Sequence, residues 1–172
     1  MMRIKLMILL LVLFGTSRAQ QTSWKKLSID QGRNYQVESL HEVVDFSRPG
    51  ESPDTVRASL MVNDNVLDVI RFAKATCKNG NVTISIYETN EANDYDYVIN
   101  ISKNKYIIKF NFISSGESED ESYVVPYETN LMLNTSDFRP GSVIKGHTEF
   151  KGKCTTCKNE ITVKGNFQVT LK

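Results

Sequence analysis

The sequence predicts an all-β domain, a single antiparallel β-sandwich of about nine or ten strands built from consecutive hairpins. Two kinds of pattern support this prediction. Apolar and polar side chains alternate along several segments, as they do in strands with one buried face. Short turn sequences separate these segments, and pairing about them sets large apolar residues opposite one another.

The first residues resemble an export signal. Arg3 and Lys5 precede an uninterrupted apolar run over residues 6–14, and small residues follow it up to Ala19. The run is shorter than the roughly 20 residues that span a membrane. We therefore expect residues 1–19 to be a signal peptide cleaved near Ala19. Residues 20–172 should then form one antiparallel β domain, secreted or periplasmic, with no transmembrane segment.

Composition narrows the possible partners. The chain carries a formal charge of +1, and loss of Arg3, Lys5 and Arg18 with the signal peptide lowers it to −2. A nucleic-acid-binding domain normally has an excess of basic residues. Nucleic acid is therefore not an expected partner.

The first strands of the domain are predicted from short apolar patterns. Trp24, Leu27 and Ile29 begin the first strand, which ends at the polar residues 31–34. Residues 35–46 form the second strand, and residues 47–54, with two prolines, form an irregular loop. A third strand has apolar residues at positions 56, 58, 60 and 62, and Asn63-Asp64-Asn65 turns the chain after it.

Residues 66–75 fit either a strand or a helix, because their apolar residues also recur at helical spacing. Asn79-Gly80 favours a strand for the second half, since both residues tolerate the positive φ of a type I′ turn. A helix over residues 66–70 stays open. The pairs expected about this turn are Cys77–Val82, Ala75–Ile84 and Ala73–Ile86.

A second hairpin about Lys103-Asn104 has the richest apolar face. Its expected pairs are Tyr95–Phe112, Tyr97–Phe110, Ile99–Ile108 and Ile101–Tyr106. Residues 114–122 follow as an exposed acidic loop. The next strand is expected to present one face made of Tyr123, Val125, Tyr127, Leu131 and Leu133. Pro126 lacks an amide hydrogen, so this strand should lie at an edge or carry a bulge.

The last hairpin has the clearest alternation, with Thr155 and Thr156 expected at its tip. In its second half Ile161, Val163, Gly165, Phe167, Val169 and Leu171 share one face. The expected pairs are Phe150–Ile161, Thr148–Val163 and Cys154–Cys157.

Two architectures fit these strands, a sandwich and an up-and-down β-barrel of the lipocalin-like kind. The sandwich is favoured because large apolar side chains fill each strand face, whereas a ligand-holding barrel would carry small or polar residues in its lumen. Trp24, the single tryptophan, stands early in the mature chain as in lipocalin-like barrels. The glycine that accompanies it there is missing, and one tryptophan does not assign a family.

The three cysteines allow several arrangements. In an exported chain, a disulfide between Cys154 and Cys157 at the hairpin tip is the simplest, and it leaves Cys77 as a buried free thiol. A bridge from Cys77 to a tip cysteine is the competitor. The CxxC spacing also occurs in redox enzymes, but their helical context is missing here. With Cys77 and His147 the tip cysteines could complete a zinc site, although a second CxxC is absent.

Other candidate residues have weaker support. His41 and His147 lack a neighbouring catalytic motif. Residues 93–96 and 117–121 are acidic clusters without calcium-loop spacing. Three triplets fit the glycosylation pattern, beginning at Asn81, Asn100 and Asn134. We therefore expect no catalytic residues, no cofactor-binding residues and no metal ligands.

The expected function is a non-enzymatic binding or structural role. The partner would be a protein, a glycan or a small ligand that contacts the loops or an exposed sheet edge. The first alternative is a small-ligand carrier, which an apolar cavity of ~300 Å³ or more inside a barrel would favour. The second is a thiol-disulfide or metal-handling protein that uses Cys154 and Cys157.

Overall fold

The computed structural model describes residues 23–37, 57–89, 93–114 and 122–172. Several predicted segments lie outside the described residues: the signal peptide, most of the second strand with His41, the loop 47–54 and the acidic residues 117–121. Residues 35–37, where the second strand is predicted to begin, are described, and the prediction is wrong there because they are not in a strand.

Eleven β-strands and no helix occur in the described residues, so the all-β prediction is confirmed. The helix considered for residues 66–70 is wrong, because this segment pairs with the preceding strand instead. The strands are β1 (Lys25–Lys26), β2 (Ser28–Ile29), β3 (Ala58–Val62), β4 (Asn65–Ile70), β5 (Phe72–Lys78), β6 (Asn81–Thr89), β7 (Asn93–Ser102), β8 (Lys105–Ser114), β9 (Ser122–Leu133), β10 (Val143–Cys154) and β11 (Glu160–Thr170).

All eleven strands belong to one sheet that nearly closes on itself, with the order β4-β3-β11-β10-β9-β8-β7-β6-β5. Only Arg71 separates β4 from β5. These two consecutive strands nevertheless lie at opposite ends of the strand order, because β4 pairs with β3 and β5 pairs with β6. Ala75 of β5 then meets Leu171 in a parallel bridge, where the Lys172 amide donates to the Ala75 carbonyl at 3.3 Å. The single sheet corresponds to the barrel alternative rather than to two stacked sheets.

The N-terminal segment fills a gap in the barrel wall. β8 and β9 pair only between residues 110–112 and 122–124. Beyond that contact, β1 pairs with β8 and β2 pairs in parallel with β9. The hydroxyl of Tyr106 donates to the Thr129 carbonyl at 2.9 Å across the same gap. Leu27, between the two short strands, is buried.

Aromatic side chains fill the barrel interior. The rings of Tyr97, Phe110 and Phe150 contact one another pairwise, with centroids 5.8–5.9 Å apart. All three are among the largest side chains that are fully buried, together with Phe167. Burial of a side chain of this size contributes about 1.5–3 kcal/mol. The large residues that favoured a sandwich are therefore accommodated inside one nearly closed sheet.

Two predicted hairpin registers are confirmed residue by residue, about Asn79-Gly80 and about Lys103-Asn104. All four turn residues have positive φ, between 47° and 75°, as two-residue hairpins require. The turn predicted at 63–65 is also present at Asn63 and Asp64.

The predicted register of the last hairpin is wrong by two residues. Phe150 pairs with Val163 and not with Ile161, and Thr148 pairs with Gly165 and not with Val163. The connection is longer than two residues, because the Cys154 amide donates to the Asn159 carbonyl at 2.9 Å and so Cys154 does not pair with Cys157. A shift of two residues leaves every side chain on its predicted face.

The predicted face of β9 is wrong over its first half. Glu128 pairs with Lys151 and Pro126 pairs with Gly152, so Tyr127 is the extra residue of a bulge next to the proline. The bulge reverses the alternation. Val124 is buried with Leu131 and Leu133, while Tyr123 and Tyr127 are more than half exposed on the outer surface.

Candidate functional site

Residues 30–37, which we call the strap, run from the edge of β9 to the outer face of β11. At one end the Asp30 amide donates to the Leu133 carbonyl at 2.9 Å. At the other end the Asn166 side-chain amide donates to the Gln36 carbonyl at 2.8 Å. Between them the buried Tyr35 donates its hydroxyl hydrogen to the Asp30 carbonyl at 2.8 Å. The strap is therefore anchored at both ends and braced in the middle.

A cleft of about 680 Å³ lies between the strap and the outer face of the sheet. Strap residues 31 and 33–37 form one side. The other side consists of Arg57 before β3, Asn134 after β9, Lys145 of β10 and Gln168 of β11.

Backbone hydrogen bonds hold the floor of the cleft. Lys145 and Gln168 are paired across the β10–β11 ladder. The Gln168 amide donates to the Arg57 carbonyl at 2.7 Å, which fixes the residue before β3. Asn134 accepts from the Lys145 amide through its side-chain oxygen at 2.7 Å and donates its own amide to the Lys145 carbonyl at 2.9 Å. The polar side chains thus project from regular, well-bonded backbone.

The described lining of the cleft contains three cations, Arg33, Arg57 and Lys145, and no carboxylate. Two carboxylates in the surrounding structure are already engaged. Asp30 accepts from the Gly32 amide at 3.0 Å, and Glu149 lies 3.3 Å from the His147 Nε2. The positive charge of the lining therefore has no counter-charge inside the described cleft.

Amide side chains make up the rest of the polar lining: Gln31, Asn34, Gln36, Asn134 and Gln168. A primary amide offers two donors and an acceptor, which suits ligands rich in hydroxyl groups. Chemically, the cleft can bind a polar anion. Among the described residues of its lining there is no nucleophile–base pair.

His147 supports the strap and does not line the cleft. Its Nδ1 lies 2.8 Å from the Asn166 Oδ1, and Asn166 in turn holds the Gln36 carbonyl. On its other side, the hydrogen bond from the imidazole lowers the pKa of the Glu149 carboxyl. The imidazole of His147 thus lies between the side-chain oxygens of Asn166 and Glu149. It acts on the strap through Asn166 and is therefore a positioning residue.

The structure pairs Cys154 with Cys157, which fits the predicted hairpin-tip disulfide. The tip is also bonded to β9. Thr156 and Ser122 share a hydroxyl–hydroxyl hydrogen bond of 2.6 Å, and the Thr155 hydroxyl donates to the Tyr123 carbonyl at 3.0 Å. The disulfide links the last residue of β10 to the turn that follows it, and not to the start of a helix, where the reactive cysteine of a thiol redox enzyme normally lies.

Cys77 lies at the opposite end of β11 from the tip. Its amide donates to the Lys172 carbonyl, whereas Cys154 lies beside Glu160, roughly 35–40 Å away along the strand. A bridge from Cys77 to the tip and a zinc site shared by Cys77, His147 and the tip cysteines are therefore wrong. The described residues contain no group of three or more His, Cys, Asp or Glu suited to a metal. Cys77 is half-buried, not fully buried as expected.

The other sequence candidates remain separate from the cleft, with one exception. Asp94 and Asp96 are exposed on β7. The Asn100 side chain accepts a hydrogen bond from the Thr83 hydroxyl at 3.0 Å, and Asn81 is exposed at the start of β6. Asn134, the third glycosylation candidate, lines the cleft.

A second polar cluster, which the sequence analysis missed, faces the barrel interior at the end of β6. The Glu88 side chain is buried, and its Oε2 atom has no hydrogen-bond partner although the Arg71 Nε lies 3.7 Å away. Burial raises the pKa of the Glu88 carboxyl, and Arg71 opposes that effect. The neighbouring Tyr95 hydroxyl donates to Asp68 at 2.8 Å.

No family model, curated protein sequence or solved structure matches this chain. Among the residues that the structure describes, no helix has the length and apolar character needed to cross a membrane.

Proposed function

We propose that this chain is an exported, non-enzymatic binding domain that recognises a polar ligand in the cleft beneath the strap. The observation that carries the proposal is the cleft itself. It measures about 680 Å³, within the range of small-molecule sites, and polar side chains from five separate parts of the chain converge on it.

The filled interior argues against the carrier alternative. A barrel that carries an apolar ligand needs a lumen, and here the rings of Tyr97, Phe110 and Phe150 are packed against each other inside the sheet. Most residues around this cleft are polar, and so are most around a second cavity of about 270 Å³ beside Lys151 and Lys164, although Phe150 and Val163 also contribute to the second. The outer surface is the better place for a ligand.

Export is supported by two independent features. The first 19 residues have the charge, apolar run and small-residue ending of a signal peptide. The tip cysteines are at bonding distance, and disulfides persist in oxidising compartments. Both features favour a secreted or periplasmic location.

A thermal-shift screen tests the proposal. The purified protein is screened against a panel of sugars, organic acids, amino acids and fatty acids, and hits are measured again with Gln168→Trp. The indole at this exposed position should fill the cleft, whereas Thr170→Trp, two residues along the same face of β11, leaves it open.

We expect polar hits that the Thr170→Trp control retains and Gln168→Trp loses. Hits confined to fatty acids, or polar hits that bind equally to both variants, would contradict the proposal.

A further inference from the structure

The charge of the cleft selects the ligand more narrowly than its volume does. The described lining has three cationic side chains, of which Lys145 and Arg33 are exposed to solvent. They come from β10, from the strap and, as Arg57, from the residue before β3, so three separate backbone segments bring positive charge to one cavity. Arg33 is also within electrostatic reach of Glu149, whose pKa it helps to lower, so a neutral ligand would leave mainly the charges of Arg57 and Lys145 without a described carboxylate.

Arginine and lysine would contribute differently to binding an anion. The planar guanidinium groups of Arg33 and Arg57 can each bind a carboxylate or phosphate through two parallel hydrogen bonds. Lys145 acts as a point charge with three donors. Since the described lining provides no acidic group, an anion would not be repelled there.

The Asn and Gln side chains of the lining indicate which other polar groups the ligand carries besides its anionic group. Asn134 and Gln168 lie on the floor beside Lys145, and Gln31, Asn34 and Gln36 lie on the strap opposite. Vicinal hydroxyl groups donate and accept at once, and a primary amide matches both roles. In the described part of the lining the only aromatic residue is Tyr35, which is buried, so ring stacking on it is not the main contact.

From this combination we infer that the ligand is a hydroxylated organic anion, of the sugar-acid or sugar-phosphate class. The inference rests on the proposed function, because it names the ligand class of the same cleft. Carboxylate and phosphate share the chemistry that the cations recognise, so the test below includes one ligand of each kind.

The test compares four probes by calorimetric titration at low ionic strength: glucuronate, glucose 6-phosphate, glucose and inorganic phosphate. We expect at least one of the two anionic sugars to bind about tenfold or more tightly than glucose and than phosphate alone. Arg57→Gln and Lys145→Gln should each weaken that binding about tenfold, as expected when one charge-assisted contact is lost. Lys109→Gln, an exposed lysine on β8 outside the cleft, should leave the affinity unchanged.

Glucose binding as tightly as its anionic relatives would overturn the inference while leaving a polar cleft ligand in place. If inorganic phosphate bound as tightly as glucose 6-phosphate, the inferred contribution of the hydroxyl groups to binding would be overturned. No binding by either anionic sugar would overturn the inference, and the Gln168→Trp screen would then decide separately on the proposed function. Should a variant fail to fold, the ranking of the four probes on the unsubstituted protein decides.

Discussion

The hydroxyl groups of Tyr97 and Thr148 lie 2.7 Å apart inside the barrel, where neither residue has any exposed surface. Thr148 has a further, longer contact to the Asn130 carbonyl at 3.4 Å. Burial raises the pKa of the Tyr97 phenol, so the group stays protonated and can donate. This pair is a fully buried polar link between β7 and β10, next to the packed rings of Phe110 and Phe150.

We predict that Thr148→Val destabilises the protein by about 1–3 kcal/mol, because it leaves the Tyr97 hydroxyl buried without a partner. Tyr97→Phe should cost less, because the Thr148 hydroxyl keeps its contact to the Asn130 carbonyl, and the double variant should cost clearly less than the sum of the two single losses. Urea unfolding measures all three. Strictly additive losses would mean that the two hydroxyl groups do not interact.

Glu88→Gln should change how stability depends on pH. The folded state raises the pKa of Glu88 above its ordinary value of 4.5, so between those two pKa values the folded protein retains a proton that the unfolded chain releases. The unfolding free energy of the native protein should therefore fall as pH rises from 4.5 through the raised pKa. Glu88→Gln should remove this part of the decline and be the more stable form at neutral pH.

Urea midpoints at several pH values measure the effect, with Asp96→Asn, an exposed residue on β7, as the control. The account of Glu88 fails if Glu88→Gln is less stable than the native protein throughout.

Gly165→Ala should be strongly destabilising. A Cβ atom at this position would lie 1.9 Å from the Ser59 carbonyl oxygen and 2.9 Å from the Leu60 Cα, both backbone atoms of β3. Relief requires β3 and β11 to separate, so we expect a loss of about 2–3 kcal/mol. Gly32→Ala, whose Cβ would meet only the Asp30 side chain at 3.6 Å, should change thermal stability little. Equal effects of the two substitutions would contradict the close strand approach.

Thiol titration of the denatured, unreduced protein should detect one thiol, Cys77, and three after reduction. The ring closed by the disulfide is short, so its removal by Cys154→Ser with Cys157→Ser should cost no more than roughly 2 kcal/mol. Three thiols before reduction would exclude the disulfide.

Local sequence signals predicted those elements that local chemistry decides. Asn79-Gly80 and Lys103-Asn104 tolerate positive φ at adjacent positions, and both hairpin registers follow from that property. The β10–β11 register could not be predicted in this way, because the connection contains Lys158 with a positive φ of 61°, and lysine is not a residue type that indicates positive φ. Pro126 indicated an edge or a bulge, but the extra residue, Tyr127, is fixed only by pairing with β10.

The cleft could not be predicted because its residues show no common pattern. The sequence predicts that the first strand ends at the polar residues 31–34, and in the last hairpin Lys145 and Gln168 alternate with the apolar positions. Neither observation points to a binding site. Only the path of the strap over β11, fixed by the bond from Asn166 to the Gln36 carbonyl, brings these residues to one cavity.

Amide chemical-shift mapping by NMR tests the central claim, that a polar ligand binds on the outside of the barrel beneath the strap. With glucuronate or glucose 6-phosphate added, we expect the shifted amides to cluster at Arg33, Asn134, Lys145 and Gln168. Shifts concentrated in the interior-facing residues around Tyr97 and Phe150, or at the exposed Tyr123 and Tyr127, would contradict it.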